Sequence, residues 1–301
     1  MGESRSCPIC HSGSEKAKLV IEKNIDPAKL SGFSFASRKE PEYMCHRLVL
    51  CPNCDLVYAD QPPGEGELAH AYHVADYDSS EEANDAAKAY ILAIQPALGR
   101  LAQRQSALEI GTGTGIFLEH LSNEGFAELV GVEPSSAAIS AAPEYRQSWI
   151  HEGMFEEKNF APESFDLICC FMTMEHVRDP DIIARAAFRL LRPGGAFVTV
   201  THDYRSLVNR LLGKRSPIID IEHLQLFSER SVRYLFEHAG YANVTVNSFV
   251  NAYSLRYWMR MAPLPYGLKH GISNLMSAFG IGHIKLGINV GNHITAGFKR
   301  A

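Results

Sequence analysis

The 301-residue chain lacks several features, and each absence narrows the field. No run of eighteen residues is apolar enough to span a bilayer, and the N-terminus has no apolar signal region, so a cytoplasmic protein is expected. Positive charge is not in excess: 29 Lys and Arg stand against 34 Asp and Glu, giving a net charge of −5 and no general attraction to nucleic acid or an anionic membrane. MGESRS matches the loose N-myristoylation pattern at Gly2, a pattern short enough for chance to explain. The dinucleotide fingerprint G-x-G-x-x-G is also missing. In LEIGTGTG (108–115) the third glycine, Gly115, arrives one residue early for NAD.

What is present there is a buried-strand pattern ending in Gly111, Gly113 and Gly115 and running into the helical IFLEHL. Such a turn lets a ligand approach main-chain N–H groups at a helix N-terminus. A second apolar strand, LVGVEP (129–134), ends in Glu133, where a carboxylate can accept from both hydroxyls of a ribose. SFDLICCF (164–171) is a third apolar run, MEHVRDP (174–180) follows it, and RLLRPGGAFVTV (189–200) reads as a helix end, a Pro-Gly-Gly turn and a strand. Taken singly, the glycines could be plain turn residues and Glu133 a helix N-terminal acid.

In this order and spacing the segments resemble the class I S-adenosylmethionine-dependent methyltransferases over residues 85–301. The resemblance implies an α/β, Rossmann-like seven-stranded methyltransferase sheet with an antiparallel last strand. Strands are expected at 106–111, 128–132, near 148–151, 165–171, 196–201, 243–249 and 292–300. It also implies that the backbone of Gly111, Thr112 and Gly113 holds the cofactor, with Glu133 at the ribose and Glu109 near the methionine ammonium. Gly115, Pro134, Met154, Phe155 and Phe171 complete the set. Many relatives carry Asp where HEGMF (151–155) has Met154, so adenine recognition must lean on the Phe155 backbone and apolar packing.

Seven cysteines are informative by position. Cys7 and Cys10 form CPIC, Cys51 and Cys54 form CPNC, and two such knuckles can give four thiolates to one tetrahedral structural Zn2+. This predicts a small β-rich zinc-binding module over 1–62, with Cys45, His11 and His46 as alternative ligands. Cys169 and Cys170 read as core residues of a strand. A linker over 63–84 leads toward the site mouth and carries Tyr72, His73 and Tyr77 as weaker candidates for lining the acceptor. A helix begins at 81, and an apolar, apparently helical insertion is expected at 253–286. It packs on the domain or a second subunit, or else serves as a lid or interfacial helix for a lipid-linked acceptor.

Methyl transfer needs in-line alignment and exclusion of water, and a base only where the acceptor must lose a proton. His176 and His223 are the candidate bases, with a helix-pinning role for Glu175-His176 as the structural alternative. The expected acceptor is a small molecule such as a sugar or secondary metabolite, with O-, N- and C-methylation all open. A zinc-ribbon rRNA methyltransferase is the enzymatic rival, disfavoured because residues 1–60 balance eight Lys and Arg with eight Asp and Glu. A binding protein that kept the fold is the non-enzymatic one.

Overall fold

The structure, a computed structural model, describes residues 4–301, the side chain of Tyr266 excepted; Gly2 lies outside the described residues. The chain opens with β1 (Lys18–Ile21), β2 (Leu48–Leu50) and β3 (Val57–Ala59), which pair antiparallel in that order. Helices Glu65–His73 and Ser80–Ala93 follow, the second leading through Gln95–Leu98 into β4 (Ser106–Ile110). The parallel run continues with β5 (Glu128–Glu133), β6 (Ile150–Glu152), β7 (Phe165–Phe171) and β8 (Leu191–His202). Next, β9 (Gln225–Leu226) leaves this half and pairs with β3, so residues 1–62 share a sheet with a segment far downstream. The chain closes with β10 (Ala242–Ser248), β11 (Asn251–Ser254), β12 (Lys285–Ile288) and β13 (Asn292–Phe298).

The large sheet has seven strands in the order β10-β13-β8-β7-β4-β5-β6, with β13 antiparallel to both its neighbours. This is the expected methyltransferase sheet. Every residue of β4 and β7 is buried, as a parallel strand covered on both faces requires, which is why SALEI and FDLICCF read as near-continuous apolar runs. Successive side chains point to opposite faces, so Cys170 packs in one hydrophobic cluster and Cys169 in the other, as core residues. The Cys170 face packs in one cluster with Cys7, Ile9, Val49, Cys51, Cys54, Leu56 and Tyr58 of the N-terminal region.

Two expectations need correction. The Pro193-Gly194-Gly195 turn is absorbed into β8: Phe165 pairs with Leu191 and Leu167 with Ala196, so the extra residues form a bulge inside the strand. The N–H of Gly194 and that of Lys299 bond back across it to Lys299 and Gly195 carbonyls. The insertion is not wholly helical either. Helices Leu255–Met261 and Tyr266–Ala278 are carried on a two-stranded antiparallel ribbon of β11 and β12, whose ladder supplies the hydrogen bonds that two short helices cannot give each other. No helix among the described residues is long and apolar enough to cross a membrane.

Candidate functional site

A cavity of about 800 Å³ opens at the C-terminal ends of β4, β5 and β7, where a doubly wound sheet has its crevice. Gly111 turns the chain out of β4 with φ +77°, and a Cβ there would stand 2.3 Å from Thr173 Oγ1, so both conformation and space demand glycine. Gly113, at φ +57°, donates its N–H to Glu133 Oε2 at 2.7 Å, and Ser135 N–H donates to Oε1 at 2.9 Å. Burial raises the Glu133 carboxyl above the ordinary range, and these two donors oppose the shift. Glu109 accepts from Thr112 Oγ1 at 2.5 Å, and burial pushes its carboxyl up to about 8. Pro134, Met154, Phe155 and Phe171 also line this end. Met154 is exposed, whereas Phe155 stacks on Phe160 at 6.0 Å between ring centroids. Gly115 stands outside the lining: it is the left-handed residue, φ +67°, that starts helix Ile116–Asn123, and a Cβ there would stand 3.4 Å from Ile150 Cδ1.

The other end of the cavity is a polar cluster. His176 follows β7, and His223 comes from the loop before β9. Their ring centroids are 4.9 Å apart, and one ligand atom each of His176, Glu222 and His223 lies within 4.8 Å of the others. His223 Nδ1 lies 2.8 Å from the Ile218 carbonyl oxygen. A carbonyl only accepts, so Nδ1 carries the proton and Nε2, 3.8 Å from Glu222 Oε1, is the unprotonated nitrogen. Burial lowers His223 well below the ordinary histidine range and His176 to about 3, so both rings are neutral. The Tyr72 hydroxyl, 2.9 Å from His176 Nδ1 and 3.3 Å from the Glu222 carbonyl oxygen, ties the cluster to the linker helix. His73 points instead to the Pro134 carbonyl at 3.2 Å, and Tyr77 lines the cavity. Glu175 does not pin helix Pro180–Leu190; its Oε1 accepts from His202 N–H at 2.7 Å and so anchors the end of β8.

Sequence reasoning missed the cavity residues supplied by the N-terminal loop. Arg38 and Lys39 both line the cavity, and buried Lys39 Nζ binds Asp220 Oδ1 at 2.9 Å and also Glu42. Asp220 and Glu222, just before His223 in the chain, carry no motif that marks them either. Only packing of the loop on residues 218–223 reveals them.

The four cysteines Cys7, Cys10, Cys51 and Cys54 converge within 4.8 Å. Cys7 and Cys54 sulfurs are 3.5 Å apart and those of Cys10 and Cys51 3.4 Å, against an edge of about 3.8 Å for a tetrahedron with 2.3 Å Zn–S bonds. A hydrogen bond from Cys54 holds Cys7 down to about 5, while burial raises Cys10 to about 12 and Cys54 also rises. One thiolate thus opposes the next, and four together require a cation, which is the donor set that suits zinc. Of the alternative ligands, His11 faces Asp181 at 3.1 Å, Cys45 packs with Leu48 and Ile218, and His46 is not part of the cluster.

A family model described as "Methyltransferase domain" matches residues 82–246. The ubiquinone biosynthesis O-methyltransferase of Pseudomonas fluorescens (strain SBW25) is 31% identical over 121 residues, 36% of this chain and 50% of the relative. The enzyme of the same description from Pseudomonas entomophila (strain L48) gives the same figures. The chain therefore spans about half the length of these curated relatives. Among solved structures, the YcgJ protein of Bacillus subtilis is 17% identical with a TM-score of 0.49, covering 70% of this chain and 99% of that one. A SAM-dependent methyltransferase from Archaeoglobus fulgidus is 14% identical with a TM-score of 0.49, covering 71% and 94%.

Proposed function

The chain belongs to the methyltransferase-domain family, and from that premise we propose that it transfers the methyl group of S-adenosylmethionine to a small-molecule acceptor bearing an ionisable O–H or C–H, with His223 as the base. The observation that carries this reading is the fixed tautomer of His223, whose Nδ1–H is held by Ile218 so that the basic Nε2 faces Glu222 and the cavity. His223 Nε2 would take the acceptor proton, and the bound donor would supply the methyl group to the acceptor oxygen or carbon, with the electron pair of the methyl–sulfur bond left on sulfur. Glu222 stands beside the ring, and His176, joined to Tyr72, positions the acceptor. Gly111, Thr112 and Gly113 would hold the cofactor, with Glu133 toward the ribose and Glu109 toward the ammonium. The same reading places one structural zinc on Cys7, Cys10, Cys51 and Cys54.

Incubation with a metabolite panel and labelled methyl donor identifies the acceptor. On that acceptor, His223→Gln should lower single-turnover rate by a factor on the order of 100 or more while S-adenosylmethionine affinity stays within about twofold. Unchanged turnover would remove His223 as base. Parallel loss of turnover, affinity and thermal stability would mean that it only supports the fold.

A further inference from the structure

The loop before β2 reaches across to the cofactor end of the cavity, and its Arg38 lines that end with Glu109, Gly111, Tyr90 and Phe171. Its backbone is held in the left-handed region at φ +57°, and its carbonyl oxygen accepts from Arg260 Nη2 at 3.1 Å, so the residue is fixed from the insertion side. Around the guanidinium stand the phenols of Tyr77, Tyr90, Tyr253 and Tyr257. Nη1 donates to Ser37 Oγ at 3.0 Å. Among the described residues Arg38 makes no ion pair, whereas its neighbour Lys39 is bound to Asp220 and Glu42. A guanidinium inside a cavity without a counter-anion is costly, and phenols compensate only as neutral acceptors.

Position then selects the anion. Arg38 lines the cavity together with Glu109, and its positive charge opposes the upward burial shift of the Glu109 carboxyl, so the two groups stand near one another. A buried carboxylate and an unpaired guanidinium on the same side of one cavity are complementary to an amino-acid zwitterion. Building on the proposed cofactor site, we infer that Arg38 binds the methionine carboxylate of S-adenosylmethionine, opposite the ammonium at Glu109, and that the N-terminal region therefore completes a site whose other parts lie in the methyltransferase half. Arg38 lies outside the matched residues 82–246.

The test is a thermodynamic cycle by calorimetry with S-adenosylhomocysteine and its decarboxylated analogue, on the intact protein and on Arg38→Met. In the intact protein, loss of the carboxylate should weaken binding about 10- to 100-fold, and in Arg38→Met it should cost no more than about twofold. Arg38→Lys, which keeps the charge without the planar fork, should fall between them. 5′-Methylthioadenosine, which has no amino-acid portion, should bind all three proteins equally and so reports that the variants are folded. If Arg38→Met does not fold, an equal affinity of the intact protein for the two ligands overturns the inference by itself. Equal weakening of both ligands and of methylthioadenosine, or unchanged binding with a raised acceptor KM, overturns it as well. If the intact protein binds none of the three ligands, the proposed cofactor itself fails.

Discussion

Glu109 and Glu133 end neighbouring parallel strands as buried carboxylates, yet their surroundings prepare them differently. Glu133 is held by two backbone N–H groups and presents fixed acceptors, so Glu133→Ala should weaken S-adenosylmethionine binding by roughly 1–3 kcal/mol in calorimetry. Glu109 has one hydroxyl donor and sits near 8 through burial, so it holds a proton at neutral pH. An ammonium ligand favours the ionised form, so binding must expel that proton and affinity should rise between pH 6 and 8. Calorimetry in two buffers of different ionisation enthalpy reads this directly, and binding without proton release would separate Glu109 from the ammonium. Glu175 is a matching case in stability. Burial raises its carboxyl from the ordinary 4.5 to about 8, so the folded state holds the proton more tightly than the unfolded chain. Its contribution is therefore complete below about 4.5 and declines as pH climbs through about 8. Glu175→Gln should gain on the native protein in thermal midpoint from pH 6 to 9, and parallel profiles would refute the assignment.

At the scale of elements, the insertion is bound by charge of one sign. No Asp or Glu occurs after Glu237, and the four cations of residues 251–291 all find acids elsewhere. Arg256 meets Glu81 at 3.3 Å, Arg260 meets Glu82 at 3.0 Å, Lys269 pairs with Glu40, and Lys285 pairs with buried Asp85. Tyr253, Tyr257 and Trp258 of the same segment line the cavity, so these pairs hold a cover over it. Exposed pairs are each worth about 0–1 kcal/mol, but reversing the partner of buried Asp85 costs more, because it leaves a desolvated carboxylate facing like charge. Lys285→Glu should raise acceptor KM with little change in S-adenosylmethionine affinity, and Asp85→Lys in the same chain should restore it. Steady-state kinetics on the two single variants and the double variant decide the matter. A KM unmoved by Lys285→Glu would mean that the ribbon is held by its ladder alone.

In the whole molecule, the four-cysteine cluster is continuous with the main core. Cys7, Cys51 and Cys54 pack in one hydrophobic cluster with Leu108, Ile168 and Phe197, and β9 bridges β3 to the loop that carries His223. The Asp55 carboxylate adds bonds to Ser228 Oγ at 2.7 Å and to Arg205. Removal of the proposed zinc should therefore lower the midpoint of one cooperative unfolding transition, and turnover should fall with it. Differential scanning calorimetry before and after chelation tests this. Two separate transitions, only the first sensitive to chelator, would instead show an independent N-terminal unit.

The seven-stranded sheet was legible in the sequence because its signals are local: fully buried parallel strands read as apolar runs, and the turns between them need glycine or an acid at fixed offsets. The cysteine pairs were legible for the same reason, since a C-x-x-C knuckle is a short-range geometry. The bulge at 192–195 and the ribbon beneath the insertion were not, because both depend on which strand lies alongside, and pairing partners are far apart in the chain. The site divides in the same way. Gly111, Gly113, Glu109 and Glu133 are given by strand ends, whereas the Ile218–His223 hydrogen bond and the Arg38 and Lys39 loop come together only through contacts across more than a hundred residues or through loop conformation. Local pattern determined where a cofactor can sit. Tertiary packing alone decided which nitrogen of His223 is basic and which cation faces Glu109, because burial and hydrogen-bond partners are properties of the folded neighbourhood rather than of the residue.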